Sequence, residues 1–531
     1  MPNRWRRLRP ASLSVRGHSV DVAIGLSPSG DAAAASAAQQ TRMARVIIAA
    51  MAAVAMALCF YQLSRPNMLF GVSEYDDGAY FGSSIRLVHG ALPYRDFVLV
   101  QPPGFALLAS PLALLSRAIG TQDALATARL FMSLVAALNV VLVGMLVRHR
   151  GHLATLVAAG LMAVFPAEVH ATHTLLLEPL LDLFCLLGAV LIFEGERFRG
   201  GTLRLLFGGV AFGFAGTIKG WALIPVVVVV LLCLPQVRRR LAPLVGGVAL
   251  GFVVPTLPFA ITALGSFYRE VMATQLGRVG GSGRVPAAIR LGDLTGSSSI
   301  TPNSSVSLAV AIVLLVALTG LIIATIVRTQ RRPTAFEIFV VGSLLGVGGL
   351  LMAPAEFYDH YAAFLAPFLA MVVGAGVGVV AVRMTLRTTL AVAAIGVVAL
   401  TANEVRVVGG EHGTNLTPTV GAVIPAGACA LSDSAAYLIT TNRFVSTQPG
   451  CADNITDPYG TTISNGGGRT PEAAAVWLHA IDNADYLVLY SSTRNGRIPL
   501  VASIRAELAD DFTVVHAGNL FVYVRDGFPV G

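Results

Sequence analysis

Charge is scarce in this 531-residue chain: Asp, Glu, Lys and Arg make up 12% of it, while 55% is hydrophobic and the mean hydropathy is +0.72. A soluble domain carries about 25% charged residues, so a fully water-exposed surface is excluded and a polytopic membrane protein is expected. Lysine is scarcer still, since only Lys219 among the 37 basic residues is one. The arginines fall in short clusters between apolar runs, which fits loops flanking membrane spans and speaks against a nucleic-acid partner. Cysteine is limited to five residues. Cys59, Cys185 and Cys233 lie in apolar runs as packing residues. Cys429 and Cys451 lie in a more polar stretch and can pair if it faces an oxidising compartment. There is no phosphate-binding G-x-x-x-x-G-K-[ST] loop and no H-E-x-x-H metal motif, and the GGSGR run at 280–284 is a loop rather than a nucleophile elbow.

What is present is a series of apolar runs. Spans are expected near 43–63, 124–147, 153–166, 174–193, 204–217, 220–235, 242–264, 306–327, 335–353, 361–382 and 388–403, about eleven in all. Segment 104–119 is short and broken by Pro111, so it is expected to lie in the outer interface. With that assignment, five arginine clusters fall on one face: Arg148 and Arg150; Arg197, Arg199 and Arg204; Arg238 to Arg240; Arg328, Arg331 and Arg332; Arg383 and Arg387. By the positive-inside rule that face is cytoplasmic, with the N-terminus inside and the C-terminus outside a bacterial plasma membrane. Residues 1–42 are expected to be a flexible cytoplasmic tail and 43–403 the membrane module. Residues 404–531, where turns and short β-rich runs appear, are expected to be a small extracytoplasmic α/β domain.

Residues 71–104 form the longest polar stretch of the first half and fall in the first outer loop. Phe81, Ile85 and Val88 recur at i, i+4 and i+7, predicting an interfacial helix over 78–89. Asp76 and Asp77 precede it, where free N–H groups favour carboxylates; a helix cap and a reactive pair are both open readings. Arg95 and Asp96 follow in the same loop, and the outer face also collects His170, His173, Glu178, Lys219, Tyr358, Asp359 and His360. Ionisable groups beside a bilayer are costly unless they bind or react. Glu178, followed by Pro179, can equally be a first-turn residue, with Asp182 one turn further on the same face. Lys219 either snorkels or holds a phosphate. His170 and His173, with Glu168 nearby, offer a weak divalent-metal set.

Taken in order, EYDDGAYF, QPPGFALL, ALATARL, LLLEPLLDLF, TIKGW and FYDHY resemble the GT-C superfamily of integral-membrane glycosyltransferases over about 43–403, specifically the protein O-mannosyltransferase and aminoarabinose-transferase branch. The resemblance implies transfer of a sugar, mannose or arabinose-like, from a polyprenyl-phosphate donor to an envelope glycan, lipid or protein acceptor on the outer face. It places the catalytic carboxylate at Asp76 or Asp77, the second acidic residue at Glu178 and the donor-phosphate cation at Lys219. Tyr80, Arg95, Asp96, His173, Tyr358, Asp359 and His360 are then substrate-binding candidates. The branch has Asp-Glu where this chain has Asp-Asp, so either carboxylate remains open as the base. No organic cofactor is implied, and a divalent metal is left open. Direct displacement needs one base, because polyprenyl phosphate leaves without a general acid, and inverts the sugar. A flippase for a lipid-linked precursor is the alternative; the lack of matched broken spans in two halves argues against it.

Overall fold

The computed structural model describes residues 30–277, 284–381, 385–449, 451, 455–468, 470–493 and 497–530. The described residues up to Met43 belong to one unit and those from Ala44 onward to another. Most of the expected N-terminal tail, 1–29, lies outside the described residues. From Gly30 onward the tail is not extended: helix α1 spans Gly30–Leu63. The DAAAASAA run explains the early start, since alanine has the highest intrinsic helix propensity.

The helices of the following region come in order. They are α2 (Tyr75–Val88), α3 (Gly104–Ala113), α4 (Ser116–Val147), α5 (His152–Val164), α6 (Pro166–Thr172), α7 (Glu178–Ile192) and α8 (Thr202–Ile218). Then come α9 (Leu223–Cys233), α10 (Ala242–Ala260), α11 (Ser304–Thr329), α12 (Ala335–Met352), α13 (Ala366–Val380) and α14 (Leu386–Gly409). Among the described residues seven helical runs are long and apolar enough to cross a membrane, or eight if α5 and α6, bent by 53°, form one span. One of these runs, Gly220–Ala260, covers both α9 and α10. Gly209 of α8 lies against Leu244 and Gly247 of α10, and Gly213 against Val248 and Phe252. Contacts that advance together mean that α8 and α10 run parallel, so α9 returns between them. The absence of a side chain at these glycines lets the two backbones touch.

Helix α3, with Pro111 inside it, has 10 residues. At 1.5 Å per residue it is about 15 Å long, half the hydrocarbon thickness. Gly120, at φ +85°, separates the following turn from the long helix beyond it. Helix α2 departs from the expected surface helix: Phe81 and Ile85 have no exposure at all. Its second face is covered too, with Ser83 donating to the Thr456 hydroxyl at 3.2 Å and Gly78 pressed on the backbone of Ala436.

The C-terminal region carries strands β3 (Ala430–Ser432), β4 (Tyr486–Leu489), β5 (Phe512–Ala517) and β6 (Leu520–Arg525), after a two-stranded hairpin of β1 (Phe193–Glu194) and β2 (Arg197–Phe198) in the membrane module. The sheet order is β3-β4-β6-β5, with β3 parallel to β4 and the other pairs antiparallel. Helices Pro471–Asp482 and Ala502–Asp511 bury Trp477, Ile481, Ile504 and Leu508 with Leu487 and Leu489 of the sheet. A disulfide joins Cys429 to Cys451.

Candidate active site

The two adjacent acids of the first outer loop have different surroundings. Both lie inside the first turn of α2 rather than before it, and Glu74 occupies the N-cap position without a side-chain cap bond. Asp77 is fully buried and accepts from Arg129 Nη2 of α4 at 2.6 Å and from Thr174 Oγ1 at 2.6 Å, both on Oδ2. Arg129 itself has no exposure and also donates to the carbonyls of Met68, Leu69 and Gly71 and to Ser73. A charge-assisted pair so enclosed holds the first loop against α4 and leaves its carboxylate no approach to an acceptor. Asp77 is a strut.

Asp76 points the other way. It keeps 28% of its side chain exposed, and its Oδ2 lies 3.7 Å from His360 Nε2. His360 Nδ1 lies 3.7 Å from Asp359 Oδ1, and its backbone N–H donates to the same carboxylate at 2.8 Å. The FYDHY turn is fixed from behind by buried Arg290, which donates to the carbonyls of Leu351, Pro354 and Ala355. Burial pushes the Asp76 carboxyl up to about 6, with His360 and Lys219 opposing the shift and Asp457 and Glu178 adding to it. A carboxyl tuned into that range is ionised at neutral pH and still basic enough to take a proton.

Lys219 ends α8, where the chain turns through Gly220 into α9. Its ammonium donates to Glu178 Oε1 at 2.6 Å and lies 3.5 Å from the centre of the Trp221 ring and 4.0 Å from that of Tyr361. Both partners of the pair are buried. Glu178 therefore acts through Lys219 and is not placed as a second base. Two aromatic faces and one carboxylate hold a cation that neither snorkels nor floats.

The C-terminal region packs against the start of α2, which sequence reasoning missed. Tyr75 donates to Asp457 Oδ1 at 2.8 Å and accepts from the Tyr459 N–H at 2.9 Å, while Tyr459 donates to Glu356 Oε1 at 2.6 Å. Arg497 lies over the Tyr75 ring, 4.1 Å from its centre. Nothing in one sequence links Tyr75 to a residue 382 positions on. Arg129 had a visible signal, a lone arginine within an apolar run.

Several expected residues stand elsewhere. Arg95 pairs with its neighbour Asp96 at 2.7 Å, half exposed, and Asp96 closes its own turn by accepting from the Leu92 N–H. No described contact brings either to Asp76, because the pair is satisfied locally. His173 is buried behind His170, with its Nδ1 on the His170 carbonyl; His170 instead faces Glu74 at 3.3 Å. Tyr358 stacks on His360 at the exposed rim. Tyr80 packs on Phe105 of α3. Asp182 is fully buried, and neither of its oxygens is hydrogen-bonded among the described residues. Glu168 accepts from Asn139 rather than joining the two histidines, and among the described residues no three His, Cys, Asp or Glu side chains are grouped to hold a metal.

The arrangement has known counterparts in fold. The chain superposes on ArnT from Cupriavidus metallidurans bound to undecaprenyl phosphate with a TM-score of 0.59 at 12% identity, covering 91% of this chain and 98% of that one. It has the GT-C fold. The same fold relates it to the archaeal oligosaccharyltransferase AglB from Archaeoglobus fulgidus, in complex with an inhibitory peptide and a dolichol-phosphate (TM-score 0.50, 11% identity, 91% of this chain and 75% of that one). The mycobacterial arabinofuranosyltransferase AftD is similar over 91% of this chain but only 40% of its own length (TM-score 0.50, 16% identity). Residues 100–354 match the model of glycosyltransferase family 87. That segment of the GT-C fold holds Arg129, Glu178 and Lys219, and begins after Asp76. No curated protein matches in sequence.

Proposed function

We propose that this GT-C protein transfers a sugar from a polyprenyl-phosphate donor to an acceptor hydroxyl, with inversion, on the outer face of the plasma membrane. The observation that carries the reading is the division of labour between adjacent acids: Asp77 is consumed by Arg129, while Asp76 stays open, raised in pKa and beside His360. Asp76 takes the acceptor proton as the acceptor oxygen attacks the anomeric carbon. The bond from that carbon to the phosphate oxygen breaks, and polyprenyl phosphate leaves with the electron pair. Lys219 and His360 stand where they can stabilise the departing charge. The undecaprenyl phosphate bound by ArnT and the dolichol-phosphate bound by AglB support this donor class, and the AftD likeness supports an arabinose-like sugar, with mannose the other candidate. The acceptor is an envelope glycan, lipid or protein. No metal step is derived, because no described side-chain set fits one.

The test is a transfer assay with purified protein and radiolabelled polyprenyl-phosphate mannose or arabinose. Acceptor-dependent release of the lipid phosphate supports the reading. A folded protein that releases neither overturns it.

A further inference from the structure

The ends of α7 and α8 opposite Glu178 and Lys219 carry a separate concavity of about 630 Å3. Three segments far apart in sequence wall it: the β1–β2 hairpin with Arg197 and Phe198, the turn before α10 with Arg240, and the α11–α12 loop with Arg331, Arg332 and Thr334. Glu196, which also lines it, and Glu337 are already engaged. Glu196 accepts from Arg150, His149 and Thr334, and Glu337 accepts from Arg150 and Arg331. Arg197, Arg240 and Arg332 have no carboxylate partner among the described residues. Arg240 is held instead by Phe198, its guanidinium 4.7 Å from the ring centre.

Membrane topology puts arginines on one face but does not require them to meet in one cavity, where like charges repel. A shared anion removes that cost. Leu203 in the first turn of α8, and Leu234 and Val237 just before Arg240 in the chain, are exposed at 67%, 48% and 55%, apolar surface for an acyl chain. We propose that this cavity binds the phosphate headgroup of an anionic phospholipid, with its tail along Leu203, Leu234 and Val237. With the orientation argued above, the lipid belongs to the inner leaflet, which basic pockets between helices recognise through phosphate. The binding itself does not depend on the transfer reaction.

Native mass spectrometry of the full chain in detergent, with added dioleoyl phosphatidylglycerol or phosphatidylcholine, tests this. Wild type should retain phosphatidylglycerol preferentially. The triple variant Arg197→Gln/Arg240→Gln/Arg332→Gln should lose that preference, while Arg148→Gln, exposed on the same face outside the cavity, should keep it. Should the triple variant misfold, Arg332→Gln alone carries the test, with an expected loss of roughly fivefold for one arginine. Equal retention of the two lipids by wild type, or an unchanged preference in the folded variants, overturns the proposal. Displacement by millimolar glycerol phosphate would also overturn it, in favour of a soluble phosphate.

Discussion

Asp77 and Arg129 form an ion pair of 2.6 Å in which neither side chain has any exposure. Breaking such a pair leaves a buried charge and costs about 3–5 kcal/mol. Asp77→Ala should therefore lower thermal stability sharply, whereas Asp76→Asn should not destabilise the fold but should reduce transfer by about 10²–10⁴-fold. Unfolding scans and turnover measured on both variants check this, and the reverse pattern would exchange their roles.

The rate should depend on pH through Asp76. With its carboxyl raised to about 6, the base is protonated below that value, so kcat/KM should fall about tenfold per unit below pH 6 and level off above it. The same shift costs stability where the group must ionise: between about 4 and 6 the unfolded chain loses this proton first, so raising the pH there lowers stability. A pH–rate profile of wild type without an acidic limb near 6 would remove Asp76 from the proton transfer.

Lys219 and Glu178 separate stability from function. Lys219→Met should destabilise by leaving Glu178 buried and unpaired, and should weaken use of the donor. Adding Glu178→Gln should restore much of the stability without restoring activity. Recovery of turnover in the double variant would make the lysine purely structural.

The disulfide between Cys429 and Cys451, 22 residues apart, should contribute about 3 kcal/mol by the chain-entropy relation. Reduced and unreduced protein compared by denaturant unfolding would read that difference, and peptide mass spectrometry would read the bond.

A periplasm-dependent reporter fused after Gly410 should be active and one fused after Arg150 silent, since arginine clusters mark the inner face. The opposite result would invert the membrane orientation and place Asp76 in the cytoplasm.

Much of this was legible in the sequence because hydropathy and arginine position are local signals. The extent of α8 follows from them, and the outer position of FYDHY from the same arginine parity. What stayed hidden is what depends on folding back. Asp76 and Asp77 are chemically alike and adjacent, and only the arrival of Arg129 from another helix makes their surroundings differ. Arg95 is a substrate-binding candidate from its loop, yet it pairs with the next residue, Asp96. The burial of α2 could not be read from Phe81 and Ile85 alone, because its second cover comes from residues near 436 and 456.

That cover has a consequence for biosynthesis. Asp76 leaves the ribosome early, within the first outer loop, but its neighbours Tyr75 and Gly78 are seated by Asp457 and Ala436. The first outer loop therefore completes its packing only once residues near 436 and 457 have been made and have folded back against it.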